Sequence, residues 1–259
     1  RPTAMPAPHL LHAFPSFVPA GSQVRTAALI AAFGARYRHS IVAMDGRTEA
    51  RELDMGGASV AYPEAPPKAG TLATVPRMRR ILRAEAPDLV LTYNFGALDT
   101  LLAARSLGLP VVHHEDGFHP DEARSFKRRR VWLRRLFLPG TFRVVVISEL
   151  LRRIALETWR LDPRKVEFIA NGIDCDGFGE RDGGPALRAE LGVPEDAFVV
   201  GAVGHLRPEK NVPRLLAAAA RIAQEVDVHV LVLGDGPERE AIEALAAREP
   251  LAGRVHLVG

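Results

Sequence analysis

The stretch FVVGAVGHLRPEKNVPRLL (residues 198–216) decides the fold class, because within it a strand passes directly into a helix. Its first part, FVVGAVG, is a short β-branched apolar run that is typical of a buried parallel strand. Asn211 is predicted to cap the following helix, and Pro213 suits a first helical turn. Anions bind at such connections in open α/β sheets, because unpaired N–H groups and the helix dipole point there. Arg207 and Lys210 in this connection therefore indicate a phosphate group, although a surface loop with solvated charges also fits.

The same alternation of strand-like and helix-like runs extends along nearly the whole chain, which predicts an α/β fold with a parallel sheet. Glycines and prolines interrupt the pattern between residues 171 and 197. We therefore predict two domains, residues 1–184 and residues 185–259. The second domain has three predicted strands, whereas a Rossmann-like unit has about six, so we expect it to be incomplete.

The composition is that of a globular protein, with 47% hydrophobic and 25% charged residues among 259. A formal net charge of +3 is small for this length, so we expect no nucleic-acid partner. The single cysteine, Cys175, excludes an internal disulfide and fits a reducing compartment. No apolar run approaches the roughly 18 residues of a spanning helix, and the N-terminal residues do not resemble a secretory signal. These features predict a cytoplasmic protein.

Four motifs follow one another along the chain: VVVIS (144–148), FIANGIDCDGF (168–178), VGHLRPEKN (203–211) and LVLGDGPEREAIEAL (231–245). Together they resemble the family 4 glycosyltransferases, which are retaining enzymes of GT-B fold that use nucleotide sugars. The resemblance covers almost the whole chain and is closest to bacterial polysaccharide or cell-surface glycan enzymes. It implies two Rossmann-like domains facing a cleft. It also implies a UDP- or GDP-linked sugar donor, a glycan or lipid-linked acceptor, and no metal or other cofactor.

The resemblance places the donor diphosphate on the loop that begins at Gly204. Lys210 matches the family lysine, whereas His205 stands where the family has an arginine. Arg207 lies two residues further on and is an alternative second cation. The Gly234-Asp235-Gly236 turn is predicted to form a second loop on the donor side.

The first predicted domain should hold the acceptor. Gly21 and Ser22 lie in the loop after the first strand, where the family has a glycine-rich loop, although an ordinary turn also fits. The HHEDG turn (113–117) follows a strand where the family often has a histidine near the transferred sugar. Either His114 or Asp116 could take that role, because the register is ambiguous. Polar residues that merely solvate a strand end are the alternative.

Two further features need separate interpretations. One stretch has the composition of a metal cluster but not the helical spacing of a zinc site, so we expect no metal. Its residues are His113, His114, Glu115, Asp116, His119 and Asp121.

The basic run at 126–138 predicts an amphipathic helix, with Val131, Leu133, Leu136 and Phe137 opposite Arg128, Arg129, Arg130, Arg134 and Arg135. Its arginines could be simply solvated, or they could contact anionic membrane or a lipid-linked acceptor.

Other functions remain open at this point. An NAD-dependent dehydrogenase is disfavoured because no G-x-G-x-x-G follows the first strand of either domain. A sugar-nucleotide epimerase of the same fold and a non-catalytic nucleotide-binding fragment remain alternatives. Family members carry two glutamates, seven residues apart, in the second half of the C-terminal domain, and the chain stops at Gly259 before such a motif. We therefore expect residues 1–259 alone to transfer no sugar.

Overall fold

The protein is described by a computed structural model that covers residues 6–67, 69–117, 122, 125–173, 175 and 183–259. It divides into two compact units, residues 1–173 and residues 174–259. The sequence-based boundary between residues 184 and 185 stays a prediction. Both units consist of parallel strands with helices between them, which confirms the predicted α/β class.

The first unit is built on a seven-stranded parallel sheet of order β3-β2-β1-β4-β5-β6-β7. Its strands are β1 (His9–Phe14), β2 (Arg38–Ala43), β3 (Val60–Ala61), β4 (Leu89–Tyr93), β5 (Val111–Glu115), β6 (Arg143–Val146) and β7 (Val166–Phe168). Its helices are α1 (Gly21–Phe33), α2 (Thr71–Glu85), α3 (Leu98–Ser106), α4 (Arg128–Phe137) and α5 (Glu149–Arg153), the last continuing as a π-helical turn (Ile154–Thr158). Helical 3-10 turns lie at Gly34–Arg36, Glu49–Glu52, Phe95–Ala97, Leu138–Gly140 and Pro163–Lys165.

The strand order of this sheet reverses between β1 and β4, which are neighbours although β2 and β3 separate them in sequence. Helix α1 packs on one face through Ala27 and Ile30, and helices α2 and α3 pack on the other through Met78 and Leu101. A sheet covered on both faces explains why nearly every residue of β1 is buried, His9 and His12 included. In such sheets ligands bind beyond the carboxyl ends of the strands at the reversal point.

The second unit contains a three-stranded parallel sheet of order β10-β9-β8. Its strands are β8 (Phe198–Val203), β9 (Val228–Leu233) and β10 (Val255–Val258), and its helices are α6 (Gly184–Leu191), α7 (Val212–Ile222) and α8 (Arg239–Ala246). Helices α7 and α8 cover one face of the sheet through Leu216 and Ile242, which pack on Val230. A 3-10 turn at Pro208–Lys210 precedes α7.

Several local predictions need correction. Helix α6 lies inside the stretch read as irregular, because Pro185 suits its first turn and Gly192, with φ 68°, ends it in the left-handed conformation. Helix α2 begins at Thr71, so that Pro76 lies inside it. Asn211 does not cap α7 through its side chain. Its backbone takes the left-handed conformation instead, with φ 51° and ψ 42°.

Candidate functional site

The loop between β8 and α7 places Lys210 beside the end of the strand. A Cβ atom at Gly204 would lie 3.6 Å from Cε of Lys210, so the lysine stem passes directly over the glycine backbone. Gly204, Leu206, Lys210 and Val212 line a small pocket of about 90 Å³ there. An exposed ammonium group above an apolar floor, next to the first turn of a helix, is suited to an anion.

The two candidates for the second cation, His205 and Arg207, are both exposed on the same loop. Arg207 Nη1 lies 3.9 Å from Glu209 Oε1, and both side chains are about half exposed. An ion pair of this kind contributes little to stability, so it leaves Arg207 able to turn toward a ligand. Which of the two residues acts as the second cation stays open.

The Gly234-Asp235-Gly236 turn packs backbone against backbone on the Lys210 loop. Leu206 N–H donates to Asp235 O at 2.9 Å, and Glu238 N–H donates to Leu206 O at 3.1 Å. A Cβ at Gly236 would lie 2.5 Å from Leu206 O, and a Cβ at Gly234 would overlap Gly204 O. The glycines are therefore required for this close approach, and the turn supports the loop that carries Lys210.

In the first unit, Gly21 is the first residue of α1 and follows the loop after β1. A Cβ at Gly21 would meet no described atom within 4 Å, so nothing in the described residues requires a glycine there. Ser22 Oγ donates to Gln23 Oε1 at 2.8 Å, and Gln23 Nε2 donates to Ser16 O at 2.8 Å. The Ser22 hydroxyl therefore helps to order the loop that leads into α1.

The two histidines of β5 point to opposite faces, as the alternation of a strand requires. His113 is buried and its Nδ1 is hydrogen-bonded to Thr92 Oγ1 at 2.8 Å. His114 stacks on Tyr93 with ring centroids 4.7 Å apart. Burial, with smaller contributions from the charges of Arg25 and His113, lowers the pKa of His114 from 6.5 to about 3. At neutral pH His114 is uncharged, and its buried Nδ1 has no hydrogen-bond partner among the described residues.

Asp116 lies directly after β5 and forms an ion pair with Arg25 of α1, with Nη1 and Oδ1 2.7 Å apart. Arg25 Nη1 also donates to Asn171 Oδ1 at 2.6 Å. The Asp116 N–H donates to Asn94 Oδ1 at 2.8 Å, and Asn94 follows β4. These contacts join the connections after β1, β4, β5 and β7 at the carboxyl edge of the sheet, next to the reversal of strand order.

Three residues that contact the two candidates were not predicted from the sequence, namely Arg25, Asn94 and Tyr93. One signal for Arg25 was present, because it is the only charged residue of α1 and lies near the amino end, where the helix dipole disfavours a cation. Tyr93 OH lies 3.0 Å from His12 Nδ1, and burial raises the pKa of Tyr93. Burial, followed by the charges of His39 and His114, lowers the pKa of His12 to about 3.

The predicted basic helix is shorter than the run 126–138 and begins at Arg128. Arg134 is buried, which corrects its assignment to the polar face. It donates to Glu115 Oε1 at 2.6 Å and to Glu115 Oε2 at 3.2 Å, and its guanidinium lies over the ring of Trp159 at 4.8 Å. Leu136, assigned to the apolar face, is 51% exposed.

The residues whose composition resembles a metal cluster have other partners in the part of the chain that the structure describes. No group of three or more histidine, cysteine, aspartate or glutamate side chains with metal-binding geometry occurs there. Glu115 is held by Arg134 and Asp116 by Arg25, and His119 and Asp121 lie outside the described residues. Within the same described ranges, no helix is long and apolar enough to traverse a bilayer.

Comparisons with known sequences place both parts of the chain in one group of enzymes. The family described as "Glycosyl transferase 4-like domain" matches residues 20–172, and "Glycosyl transferases group 1" matches residues 185–259. One relative, a UDP-Gal:alpha-D-GlcNAc-diphosphoundecaprenol alpha-1,3-galactosyltransferase from Escherichia coli, is 31% identical over 167 residues, which are 61% of this chain and 43% of the relative. The lipopolysaccharide core biosynthesis glycosyltransferase LpsD from Rhizobium meliloti is 27% identical over 71% of this chain and 46% of its own length. The chain thus spans about half the length of these curated relatives.

Solved structures show the same fold. HepE from Anabaena, solved in complex with UDP, superimposes with a TM-score of 0.77 at 19% identity, covering 97% of this chain and 69% of that chain. A UDP-N-acetylglucosamine 2-epimerase from Rickettsia bellii superimposes with a TM-score of 0.63 at 16% identity, covering 98% of this chain and 69% of its own.

Proposed function

Because the chain belongs to the glycosyltransferases of GT-B fold, we propose that the protein moves a sugar from a nucleotide-sugar donor to a glycan or lipid-linked acceptor. The proposal includes retention of configuration at the transferred sugar and participation in the synthesis of a bacterial surface glycan. The name of the Escherichia coli relative, which specifies a UDP-linked donor and a lipid-linked acceptor, supports the choice of substrates. A GDP-linked donor is the alternative, and comparing the affinities for UDP and GDP distinguishes the two.

The observation that carries this proposal is the position of Lys210 over Gly204, beside the first turn of α7. Cleavage of the bond between sugar and phosphate leaves negative charge on the nucleoside diphosphate. A preorganised cation and the N–H groups of a helix start stabilise that charge as it develops, and this lowers the barrier. Lys210 supplies the cation, with Arg207 or His205 as the second donor, and the turn 234–236 holds the loop in position.

On the acceptor side, we assign His114 and Asp116 to contacts with the reacting hydroxyl or the transferred sugar. The buried Nδ1 of His114 and Oδ2 of Asp116 have no hydrogen-bond partner among the described residues, and a bound hydroxyl would satisfy either. Gly21, which leaves space at the start of α1, allows a polar ligand to approach the N–H groups there. Arg25 and Asn94 position Asp116.

Calorimetric titration of purified protein with UDP, GDP, ADP and uridine tests the donor assignment. A charge-assisted contact contributes roughly 1.5–3 kcal/mol, so Lys210→Ala should weaken UDP binding at least about tenfold. Uridine binding should not change, because uridine lacks the phosphates. Arg221→Ala, which removes an exposed cation at the other end of α7, is the matched control. Equal UDP affinity in Lys210→Ala and wild type would refute the assignment.

A sugar-nucleotide epimerase is the second candidate, because solved epimerases share the fold. An epimerase converts the nucleotide sugar without any acceptor, whereas a transferase releases the nucleoside diphosphate only when an acceptor is present or through slow hydrolysis. Incubating the full-length protein with UDP-N-acetylglucosamine alone and analysing the sugar nucleotide by NMR separates the two. The expectation that residues 1–259 alone transfer no sugar stays a prediction. A turnover assay on these residues with common nucleotide sugars tests it, and measurable transfer would contradict it.

We also assign the outer side of α4 to an anionic membrane surface on the cytoplasmic side. Trp132 and Leu136, one turn apart, are 60% and 51% exposed, and the exposed Arg128 and Arg135 flank them. An exposed apolar pair beside arginines is suited to the headgroup region of a bilayer. Binding to vesicles should increase with anionic lipid content and decrease with salt. Equal binding to neutral and anionic vesicles would favour a simply solvated helix face.

A further inference from the structure

A groove lies next to this exposed face, between α4 and the first turns of α2 and α3, and Arg129 lines both the groove and the adjoining surface around Trp132. Its volume is about 520 Å³, which is in the range of sites that hold small molecules. The apolar side chains that line it are those of Phe95, Leu98, Leu102, Leu133 and Phe137. Lys127, Arg129 and Arg130 lie along one rim, and Asp99 and Thr71 contribute from the starts of α3 and α2.

The buried ion pairs of α4 fix the shape of this groove. Arg134 is held by Glu115, and Arg130 Nη1 donates to Glu122 Oε2 at 3.0 Å. Both guanidinium groups lie 5.1 Å from the centre of the Phe95 ring. The helix is thereby anchored to the sheet on its inner side, so that Leu133 and Phe137 are presented to the groove by a rigid element.

The rim of the groove is suited to an anion. Helix α4 contains five arginines and no acidic residue, and two of them, Arg130 and Arg134, already have carboxylate partners. Arg129 is exposed, and no described residue forms a hydrogen bond or ion pair with its side chain. The first turns of α2, α3 and α4 all reach the groove, and helix starts carry partial positive charge.

We propose that this groove binds a phosphate-bearing lipid, with the apolar chain along Leu98, Leu102 and Leu133 and the phosphate at Arg129. The inference rests on the proposed function in one respect, namely that the lipid is the anchor of a lipid-linked acceptor. An apolar floor beside a cationic rim matches the chemistry of such a molecule, which has one long apolar part and one anionic end.

The floor argues against a nucleotide as the occupant. A base would need an exposed aromatic face or a set of hydrogen-bonding groups, whereas the Phe95 ring is already flanked by the guanidinium groups of Arg130 and Arg134. The other floor residues are aliphatic or pack against the core, as Phe137 does. Burial of a hydrocarbon chain is the interaction that these side chains can provide.

The groove also adjoins the acceptor-side residues. Phe95 lines it, and the preceding residue, Asn94, accepts the Asp116 N–H. In this proposal, the sugar attached to the lipid phosphate extends toward Asp116. This continuity explains why an apolar groove occurs beside a polar strand edge.

Binding of a soluble lipid phosphate, measured without donor, vesicles or transfer, tests the proposal. Calorimetry with farnesyl phosphate, farnesol and inorganic phosphate compares the whole ligand with its apolar and anionic parts. Farnesyl phosphate should bind at least about tenfold more tightly than either part. Arg129→Gln and Leu133→Gln should each weaken it about tenfold. Arg153→Gln and Leu150→Gln, changes of the same kind at exposed positions of α5, should leave it within about twofold.

Equal affinity for inorganic phosphate and farnesyl phosphate would overturn the proposal, as would equal losses in the groove variants and the α5 controls. A groove variant that loses secondary structure by circular dichroism is replaced by Leu102→Gln, for which the same loss is expected. UDP binding should be unchanged in Leu133→Gln. If the protein binds UDP but not farnesyl phosphate, the proposed lipid site is wrong, whereas the proposed transferase function is not contradicted.

Discussion

The guanidinium of Arg25 and the carboxylate of Asp116 lie 2.7 Å apart beyond the carboxyl end of β5, and the two side chains are only 17% and 9% exposed. The pair connects helix α1 to the turn that carries the proposed acceptor-side residue. An ion pair with so little solvent contact is screened much less than a surface pair, and its loss leaves an unpaired charge in the interior.

A double-mutant cycle on this pair should therefore reveal strong coupling. Arg25→Ala alone should lower the free energy of unfolding by about 3 kcal/mol, because Asp116 then has no cation beside it. Arg25→Ala combined with Asp116→Asn should cost at least about 1 kcal/mol less than the sum of the single changes. Both tryptophans lie in the first unit, so denaturant unfolding followed by tryptophan fluorescence reports on this unit. Additive effects would show that the two charges do not interact.

Asp116→Asn should also separate binding from transfer in the full-length protein. The change keeps the shape and the backbone contact to Asn94 but removes the charge that faces Arg25. If Asp116 contacts the reacting hydroxyl, transfer should fall about 100-fold or more while UDP affinity stays within about twofold. Asp45→Asn, at an exposed loop in the same unit, is the control. Transfer at the wild-type rate in Asp116→Asn would assign the role to His114 instead.

His114 makes stability depend on pH in a defined direction. Its pKa is about 3 in the folded protein and 6.5 ordinarily, so the unfolded chain takes up a proton that the folded protein does not. Stability should therefore decrease as the pH falls through this window, with a slope of up to about 1.4 kcal/mol per pH unit for each such histidine. His114→Asn should make the slope smaller. An identical slope in His114→Asn and the wild type would contradict the shift.

The β-strands and the strand-to-helix loops could be predicted because their signals are local. The strand at 198–203 and the helix that begins at Val212 each depend on near neighbours in sequence. The predicted burial of this strand is wrong, because β8 lies at the edge of its sheet, where Phe198 and Val203 are 58% and 82% exposed. The partners of Arg25 and Arg134 could not be predicted in this way. From the sequence, Arg134 is indistinguishable from the exposed arginines of the same basic helix, because its carboxylate partner, Glu115, lies 19 residues away on β5. Only the folded sheet brings the two together, and the same holds for Asp116 and Arg25.

In the second unit, the turn at residues 234–236 packs so closely on the loop of Lys210 that one added methyl group should weaken UDP binding. In Gly236→Ala the new Cβ would lie 2.5 Å from Leu206 O, so one of the two turns must move. Overpacking of this kind costs about 1–3 kcal/mol, and the displaced turn supports Lys210. UDP binding should weaken about tenfold or more. Gly201→Ala, where a Cβ would meet nothing within 4 Å, is the control, and equal affinities in both variants would show that the turn does not support the loop.

Arg134 allows the sharpest test of how α4 is held. Burial alone would raise the pKa of Glu115, but the hydrogen bond from His113 and the charge and hydrogen bonds of Arg134 hold it below its usual range. Arg134→Met leaves Glu115 and Glu122 buried without this cation, which should cost about 3–5 kcal/mol in the free energy of unfolding. Arg128→Met, at an exposed position of the same helix where no described residue pairs with the side chain, should change stability by less than about 0.5 kcal/mol.

A second substitution identifies the cause of that loss. If an unpaired charge is responsible, Glu115→Gln in the Arg134→Met background should recover part of the lost stability, because a neutral amide is less costly to bury than a carboxylate. If lost packing over the Trp159 ring is responsible, the second substitution should recover nothing. Denaturant unfolding of the wild type, both single variants and the double variant distinguishes these outcomes. Recovery of about 1 kcal/mol or more would establish that α4 is anchored by the charge of Arg134 rather than by its shape.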